Sequence, residues 1–515
     1  MQKKLLLVNK KDKVIGTETK EKCHDGRGIL HRAFSILILN NKNQVLLSKR
    51  SKFKRLWPLY WDNTCSSHLL KGEGYESAGR KRLKEEFGFN NSLKLIDKFQ
   101  YQAPYKNVGS ENELCALLVG KYDEEKIKPD KREIAAWKWM DFSKLQKSMK
   151  KNPKKYTPWF KIGVKRLKKE ILSNEQDKEK LNSILTELTK KVDPVIKKTL
   201  ISGVDKKFQK VVSYQITTGG KRLRPALAII CCRMLGGRLK DVLYAAAGLE
   251  ILHNYTLIID DVIDKSTLRR GKPTTWSKFG KSVAECVGVY YSAAIFQAAN
   301  KSKAPVLISE FFAKTIKIII DGEILDILFE QSGRSDEPYV MKNRYREIRK
   351  KDYFKMIGKK TASLLQTSCE VGGICAGAKE KELTVLRKYG FNIGMAFQIT
   401  DDILDIFGEE KKFRKKIGRD IIESKKGNIV ILLTLKELNS ADRNKFLKIM
   451  KKDKISKKDV REAMILIEKT DSRQKAYQLG EGFTEEAKKD LKALPQNKWN
   501  EMLRILADFT LEREK

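Results

Sequence analysis

The sequence predicts a multidomain protein in which a mixed α/β domain precedes an all-α domain. A chain of 515 residues is long enough for two domains that each bury a core of their own. Up to about residue 170, short apolar runs alternate with polar turns, whereas beyond about residue 180 apolar residues recur at helical spacing. This change of period predicts a first domain over residues 1–172, a linker over residues 173–180 and a helical domain over residues 181–515.

The first domain combines strands with an amphipathic helix. The apolar runs AFSILILN and QVLLSKR flank the polar turn NKN, which is typical of a hairpin. The stretch YESAGRKRLKEEFG has the spacing of an amphipathic helix that ends at Gly88. Further strands are predicted over residues 96–105, 113–121 and 134–140.

The bulk composition limits the classes of function. Lys and Arg number 107 against 65 Asp and Glu, and this formal net charge of +42 favours anionic partners. The basic residues are spread along the chain. The sequence has no basic segment interleaved with aromatic residues of the kind that would predict nucleic-acid binding. Eight cysteines without a CxxC pair predict reduced thiols and a cytoplasmic protein. No run reaches the roughly 18 apolar residues of a membrane span, and the first residues lack the apolar run of a signal peptide.

Two acidic clusters of equal spacing indicate chemistry in the helical domain. Residues i and i+4 share a helix face, so Asp260 and Asp264 in LIIDDVID project together, with Asp261 beside them. The same spacing returns in FQITDDILD with Asp401, Asp402 and Asp405. Both clusters follow apolar runs, where bare carboxylates are costly. Mg²⁺ prefers carboxylates together with phosphates, and the two clusters therefore predict a magnesium site.

Basic residues accompany the first acidic cluster. They lie in GGKRLRP and LRRGKPT: Lys221, Arg222, Arg224, Arg269 and Arg270. Guanidinium forks bind phosphate oxygens, so metal and cations together predict diphosphate binding. His253 and Thr256 continue the stripe of Asp260 along the helix. His253 alone would more often be a core histidine, but in this company it predicts a phosphate contact.

Over residues 180–515 the chain resembles the trans-prenyltransferase (polyprenyl diphosphate synthase) family. The motifs are GGKRLRP, DDVID with LRRGKPT, KKTASL, FQITDDILD and KIGRDIIESKKGN. Members of that family fold as an all-α isoprenoid-synthase bundle. Two aspartate-rich motifs of the bundle face each other and bind about three Mg²⁺ with an allylic diphosphate. The resemblance implies as metal ligands Asp260, Asp261, Asp264, Asp401, Asp402 and, as a weaker candidate, Asp405. It also implies a homodimer or larger homo-oligomer formed through this domain.

The same resemblance implies the substrate contacts. The allylic diphosphate would be held by Arg269, Lys360, Gln398 and Lys416. Isopentenyl diphosphate would be held by Lys221, Arg224, His253 and Arg270, with Thr361 and Lys425 lining the same site. Two positions depart from the family pattern, because Glu323 stands where glutamine is usual and Val289 where aspartate is common.

Product length in this family depends on the residues four and five positions before the first aspartate. Here these are Thr256 and Tyr255. One aromatic beside one small residue resembles archaeal-type geranylgeranyl (C20) synthases, whereas a eukaryotic farnesyl (C15) synthase would more often have two aromatics there.

The amino-terminal part concentrates the histidines. Three of the four, His24, His31 and His68, lie in the first 68 residues. In SENELC, Glu111 and Glu113 take alternating positions of a predicted strand, so both side chains face one way. Each histidine alone would more often be structural. Three imidazoles and two carboxylates together, however, suit a divalent metal.

Over residues 3–170 the chain resembles type I isopentenyl diphosphate isomerase, a Nudix-fold enzyme. The matching stretches are CHDGRGILHRAFS, LWPLYWDNTCSSH, KRLKEEFG, SENELC and TPWF. The resemblance implies that the histidine set holds one Zn²⁺, Mn²⁺ or Mg²⁺, and that Glu86 helps a Mg²⁺ that accompanies the substrate. The diphosphate ligands that it implies are Lys20, Arg50, Lys54 and Arg82.

The isomerase reaction adds a proton on one face of the substrate and removes one from the other, through a tertiary cation. Glu113 with Tyr101 would protonate, and the ring of Trp159 would stabilise the cation. The family's catalytic cysteine is replaced by Ser66, with Cys65 one place earlier, and a hydroxyl is a poorer acid or base than a thiol. Three interpretations stay open: Ser66 works more slowly, Cys65 replaces it through a backbone shift, or the domain is a non-catalytic diphosphate binder.

Together the resemblances imply a bifunctional enzyme of isoprenoid biosynthesis. Its expected partners are isopentenyl, dimethylallyl and longer prenyl diphosphates, condensed to geranylgeranyl diphosphate. The alternative is a farnesyl or other prenyl diphosphate synthase with an inactive, regulatory or structural isomerase-like domain. The acidic clusters disfavour a nucleic-acid-binding protein.

Overall fold

The computed structural model describes residues 4–40, 42–91, 93–122, 126–331, 333–408, 418–423, 425–452 and 454–511. It divides into two compact units, Met1–Gln176 and Asp177–Lys515. The prediction of an α/β part followed by a helical part is confirmed. The helix Pro158–Ile201 includes residues 173–180, for which the sequence predicts a linker.

The first unit is built on a nine-stranded mixed sheet. Its strands are β1 Lys4–Val8, β2 Val14–Thr19, β3 His31–Leu39, β4 Gln44–Arg50, β5 Trp61–Asp62, β6 Cys65–His68, β7 Lys94–Tyr105, β8 Gly109–Lys121 and β9 Ile134–Asp141. Strand β3 is central, because it pairs in parallel with β8 and antiparallel with β6, while β8 pairs antiparallel with β7. The hairpin β3–β4 and the predicted strands β7, β8 and β9 are confirmed.

Apolar side chains alternate along these strands and cover both faces of the sheet. Leu37 and Leu117 belong to one core cluster, and their neighbours Ile36 and Leu118 belong to another. The helices of this unit are Lys20–His24, Tyr75–Phe87, Phe142–Lys151 and the first part of Pro158–Ile201. The predicted end of the second helix is confirmed, since Gly88 caps it with φ 78°.

The described part of the second unit is helical apart from the short hairpin Leu268–Arg269 and Lys272–Pro273. Its helices are Gln209–Thr217, Leu223–Met234, Leu239–Ile263, Thr275–Phe279, Lys281–Ala299, Pro305–Phe329, Pro338–Asn343, Lys350–Ile357, Ser363–Ala376, Glu380–Phe407, Arg419–Ile422, Ile429–Glu437, Ser440–Met450, Lys457–Glu468, Ser472–Asp490 and Lys498–Leu511. Small residues let the central helices approach closely. A Cβ on Gly372 would lie 2.3 Å from the carbonyl oxygen of Ala228, and one on Gly248 would lie 2.7 Å from the ring of Phe312.

Helix Leu239–Ile263 is the one helix in the described residues that is long and apolar enough to cross a membrane, with a mean hydropathy of 1.4 over its best window. Of that window, 61% is buried inside the protein, as expected for a core helix. The first acidic cluster lies at its carboxyl end.

Two candidate active sites

The five residues predicted to bind a metal in the first unit lie together. One ligand atom from each of His24, His31, His68, Glu111 and Glu113 lies within 4.8 Å of the others. The sheet brings them together, because β3 pairs His31 with Glu113 of β8, and β6 places His68 opposite Ala33, two residues along β3. Alternation then puts these side chains on one face.

The histidine rings are oriented to bind a cation. Nδ1 of His24 lies 2.6 Å from the carbonyl oxygen of Lys20, and Nδ1 of His31 lies 2.7 Å from that of Ile29. These contacts favour a proton on Nδ1 and turn the Nε2 lone pairs inward. Among the described residues, buried Nε2 of His31 has no hydrogen-bond partner, and burial lowers the pKa of His68 to about 3 against the effect of Glu113. The neutral imidazole of His68 and the unpartnered Nε2 of His31, both facing the carboxylate of Glu113, fit a divalent cation.

The two oxygens of Glu113 face different partners. Oε1 lies 3.2 Å from Nε2 of His68 and 3.7 Å from Nε2 of His31. Oε2 accepts a hydrogen bond of 2.5 Å from the hydroxyl of Tyr101, which pairs with Glu113 in the β7–β8 register. Burial and the charge of Glu113 raise the pKa of Tyr101 well above its usual value, so the phenol stays a donor. Glu113 therefore belongs to both the metal set and the predicted acid pair.

An aromatic wall borders this pair. The ring of Trp159 lies 5.1 Å from that of Trp57 and 5.9 Å from that of Tyr101, measured between centroids. The guanidinium carbon of Arg50 lies 5.3 Å from the Trp159 centroid. Arg50 also donates to Asp62 at 3.0 Å and to the carbonyl oxygens of Leu56 and Trp57. These bonds hold Arg50 against the wall, so it reaches a diphosphate only by giving some of them up.

Ser66 and Cys65 lie on opposite faces of β6. Ser66 faces the same side as His68; its Oγ donates to Oδ1 of Asn63 at 2.9 Å and lies 3.3 Å from Oγ of Ser35. Cys65 pairs with Ile36 and is 2% exposed in the apolar cluster behind the sheet, and burial raises its pKa well above the usual value. A backbone shift that exchanged them would turn the whole strand over. The geometry therefore argues against the interpretation that Cys65 replaces Ser66.

Two of the four cations predicted to hold the diphosphate in the first unit share a carboxylate that the sequence did not single out. Lys54 is ion-paired with Glu133, and Nη2 of Arg82 lies 2.7 Å from the same carboxylate. Nε of Arg82 also donates to Glu86 at 2.7 Å. Burial and the charge of Lys54 lower the pKa of Lys20, which shows how closely these positive charges are crowded. Such a group favours an anion.

In the second unit, the first acidic cluster is tied to Arg269. Nη2 of Arg269 lies 3.0 Å from Asp260, and its Nε lies 2.9 Å from both carboxylate oxygens of Asp261. Asp261 is only 1% exposed, and Arg269 contacts both of its carboxylate oxygens, so little of this carboxylate is left accessible to another ligand. Asp264 caps the helix, and its N–H donates to the carbonyl oxygen of Asp260 at 2.8 Å. Asp260 and Asp264 therefore face the site more openly than Asp261.

Lys360 lies among three carboxylates. Its Nζ is 2.7 Å from Asp326, 2.8 Å from Glu323 and 3.3 Å from Asp260. It belongs to a π-helical turn, Gly358–Ala362, of a kind that often occurs at functional sites. The turn packs on Gly322, where a Cβ would lie 2.4 Å from the backbone nitrogen of Lys360. Burial and the neighbouring carboxylates raise the pKa of Glu323 to about 7, although Lys360 opposes this.

Lys425 continues the alternation of charges. Its Nζ lies 3.4 Å from Asp264 and 3.9 Å from Asp326. Its charge also acts on Asp420, which follows the second acidic cluster in the chain. Ammonium groups thus stand between carboxylates where divalent cations would fit. Asp326 and Asp420 were not predicted, because they lie outside the repeated spacing.

The second acidic cluster has one carboxylate that is fully engaged by the protein. Asp402 is 4% exposed and accepts hydrogen bonds from Gln398 at 2.9 Å, Tyr353 at 2.8 Å and the N–H of Ile429 at 2.9 Å. Thr361 in turn donates to Gln398 at 2.8 Å. The neighbouring Asp401 is partly exposed, and Asp405 accepts from the N–H of Asp420 at 3.0 Å. Lys416 lies outside the described residues.

The residues predicted to bind isopentenyl diphosphate form a positive pocket. Burial and the charges of Arg224 and Arg270 hold the pKa of His253 well below its usual value, so the imidazole is neutral. Gly220 has φ 140°, a conformation that other residues rarely adopt, which explains the glycine before the exposed Lys221. Arg222 has a structural role instead, since it is buried and paired with Glu250 at 3.1 Å and Asp193 at 2.8 Å.

The residues predicted to set product length lie one helical turn before Asp260. Tyr255 is partly buried and packs against the main core cluster. Thr256 donates from its hydroxyl to the carbonyl oxygen of His253 at 2.8 Å, which saturates its polar group within the helix. Both side chains can therefore border an apolar tail.

Comparison with known families identifies the second unit. The polyprenyl synthetase family model matches residues 205–467, which include both acidic clusters. The chain belongs to the polyprenyl synthetase family. The NUDIX domain model matches residues 29–160, so this polyprenyl synthetase has a Nudix domain in its first unit, as predicted.

Individual relatives agree with this assignment. The chain is 35% identical over 326 residues to a geranylgeranyl diphosphate synthase of Saccharolobus solfataricus, covering 62% of this chain and 94% of the relative. The structure of geranylgeranyl pyrophosphate synthetase from Pyrococcus horikoshii matches 65% of this chain and 99% of its own, with 31% identity and a TM-score of 0.59. That of a decaprenyl diphosphate synthase from Rhodobacter capsulatus matches 65% and 99%, with 30% identity and a TM-score of 0.58. The names of these similar proteins differ in product length.

Proposed function

We propose that this polyprenyl synthetase is bifunctional. Its Nudix domain isomerises isopentenyl diphosphate to dimethylallyl diphosphate, and its synthase domain condenses that primer with further isopentenyl diphosphate to geranylgeranyl diphosphate. The observation that carries the proposal is the Tyr101–Glu113 hydrogen bond of 2.5 Å within the histidine set, in a chain whose other unit needs an allylic primer.

In the first unit, Lys20, Lys54 and Arg82 hold the diphosphate. The Tyr101–Glu113 pair, in which the phenol donates to the carboxylate, gives a proton to the terminal methylene carbon, and a tertiary cation results. The face of Trp159 stabilises that cation. Oγ of Ser66 takes up the proton lost from the carbon beside the cationic centre as its own proton passes to water, so the substrate gains one proton and loses another. The histidine set, with a divalent metal bound, would keep the carboxylates of Glu111 and Glu113 in place.

In the second unit, Arg269 and Lys360 bind the allylic diphosphate, with Thr361 and Gln398 orienting the turn that presents Lys360. Asp260, Asp264 and Asp401 would hold Mg²⁺, which would supply positive charge to the leaving diphosphate. The carbon–oxygen bond breaks, the double bond of isopentenyl diphosphate attacks the allylic cation, and the released diphosphate accepts the proton. Asp261 and Asp402 act through the groups they hold, Arg269 for the first and Gln398 with Tyr353 for the second.

Three further properties are part of the proposal. The C20 product rests on Tyr255 beside Thr256. A dimer or larger homo-oligomer of synthase domains is supported by exposed apolar side chains on two helices, among them Val289 at 71% and Val306 at 83% exposure. A cytoplasmic location is supported by the eight cysteines, all of them unpaired thiols in the described residues.

Incubation with isopentenyl diphosphate and Mg²⁺ alone tests the proposal. We expect prenyl diphosphates up to C20, identified by mass. The Glu113→Gln variant should form none until dimethylallyl diphosphate is added, and the Asp260→Asn variant should accumulate dimethylallyl diphosphate without longer products. Absence of product from the wild-type chain, with product restored by added primer, would refute the isomerase.

That outcome corresponds to the second candidate, a prenyl diphosphate synthase with a non-catalytic diphosphate-binding Nudix domain. It is favoured by one observation, the hydroxyl of Ser66 at the position that faces the histidine set.

A further inference from the structure

Arg419 is a cation of the synthase site that the sequence did not assign. Its Nη2 donates to Oγ of Ser266 at 2.7 Å and lies 3.6 Å from Oδ2 of Asp264. Its Nε is ion-paired with Glu423, four residues on. Arg419 thus connects the segment after the second acidic cluster to the end of the first one.

Asp264 has two cations opposite one carboxylate. Lys425 lies 3.4 Å from the same Oδ2 that faces Arg419, and the Asp264 side chain is 9% exposed. Charges of one sign repel strongly at such distances when water is excluded. A divalent ion that binds Asp264 must therefore displace or weaken at least one of these contacts.

Arg419 is the cation better able to move. Its side chain is 33% exposed, against 12% for Lys425, and Gly418 before it takes the left-handed conformation with φ 70°. Both cations also contact Glu423. Lys425, however, faces a further carboxylate, Asp326, whereas the further partner of Arg419 is the neutral hydroxyl of Ser266. A guanidinium that leaves a carboxylate can bind two phosphate oxygens in the same planar geometry.

We propose that Arg419 is an exchangeable counter-ion, which pairs with Asp264 in the substrate-free enzyme and moves to a diphosphate oxygen when Mg²⁺ binds there. This inference rests on the proposed synthase function. This exchange makes the binding of metal and the binding of diphosphate cooperative. The metal takes Asp264 away from Arg419, and the diphosphate gives Arg419 a new partner. Mg²⁺ alone must compete with Arg419 for the carboxylate of Asp264. Mg²⁺ that binds together with a diphosphate does not, because Arg419 then binds the diphosphate.

The proposal predicts opposite effects from one substitution. In Arg419→Gln, Mn²⁺ alone should bind about threefold to tenfold more tightly, since a competing positive charge is gone. Inorganic pyrophosphate with saturating Mg²⁺ should bind about tenfold more weakly, since a charge-assisted contact is lost. Free Mn²⁺ is measured by electron paramagnetic resonance and pyrophosphate by titration calorimetry. Both use the full chain with His68→Gln and Arg82→Gln, which remove a metal ligand and a diphosphate cation from the Nudix domain.

Arg387→Gln is the matched control. Arg387 is also ion-paired at 2.7 Å, with Glu370, and its side chain is 37% exposed, but it lies away from the acidic clusters. Neither affinity should change in this variant. If Arg419→Gln does not fold, Arg419→Lys takes its place. This variant keeps the positive charge, so its affinity for Mn²⁺ should not change, while its affinity for pyrophosphate should fall.

Unchanged affinities in Arg419→Gln, or two affinities that fall together, would overturn the counter-ion role. So would unchanged pyrophosphate binding in Arg419→Lys. If the parent chain binds no pyrophosphate in the presence of Mg²⁺, the synthase site itself is wrong, and the two failures are therefore distinguishable.

Discussion

Replacing Ser66 with cysteine should accelerate the isomerase reaction that we propose for the first unit. The substitution removes a hydrogen bond of 2.9 Å to Asn63, which is worth about 1 kcal/mol, or a factor of about five. It introduces a thiol whose usual pKa is about 8.5 at a position that faces the histidine set. A well-placed acid or base contributes about 10²-fold to 10⁴-fold, so the net gain should be about 20-fold or more.

The assay measures dimethylallyl diphosphate formed from isopentenyl diphosphate, in a chain that also has Asp260→Asn so that the primer is not consumed. Ser66→Ala should fall well below the wild type, whereas Cys65→Ala should fall less, because Cys65 lies on the opposite face of β6 and contacts Glu86 there instead of the histidine set. Equal rates for Ser66→Cys and wild type, or full activity in Ser66→Ala, would refute the role of position 66 as the second acid–base group.

Three further predictions concern charge and shape. Although burial opposes it, Lys54 and Arg82 lower the pKa of Glu133 from 4.5 to about 2. The stabilising effect of the ionised carboxylate is therefore present above pH 4.5 and is lost as the pH falls towards 2. Glu133→Gln should flatten the pH dependence of the denaturation midpoint between these values, and an unaltered dependence would count against the ion pair. Asp402→Asn should lower the free energy of unfolding by about 1–3 kcal/mol in denaturant titrations, because the amide nitrogen that replaces Oδ2 cannot accept from Tyr353 and from the N–H of Ile429; a stability equal to that of the wild type would contradict this. Tyr255→Ala should lengthen the products found by mass analysis while Tyr255→Phe should not, and identical product lengths in both would exclude Tyr255 as a determinant.

Local periodicity was sufficient for much of the first unit. Strand alternation placed Glu111 and Glu113 on one face, and the structure has them there. The same rule would have assigned Ser66 to the face of His68 and Cys65 to the core, had β6 been recognised as a strand. Glu133 could not be found in this way. Its contacts with Lys54 and Arg82 depend on how distant segments meet, and sequence spacing does not encode that.

The second unit shows the same limit. Helical spacing placed Asp260 and Asp264 together, but the partners of Lys360 lie on two other helices, 34 residues away in the case of Asp326. Successive helix residues point about 100° apart, so Asp401 and Asp402 could not share one environment. The structure turns Asp402 towards Tyr353 and the start of helix Ile429–Glu437. The helical bundle itself was predictable, because its apolar period is sustained over most of the unit.

In both sites, cations that we propose to bind diphosphate are ion-paired with protein carboxylates. Lys54 and Arg82 face Glu133, and Lys360 faces Glu323 and Asp326. An incoming ligand must therefore outcompete a protein carboxylate, and the affinity is the difference between two charge-assisted contacts. A monophosphate that displaces the protein carboxylate replaces one anion with another, so little binding free energy is gained. A diphosphate has more charge and can bridge several cations, so this arrangement favours the one group that isopentenyl, dimethylallyl and longer prenyl substrates share.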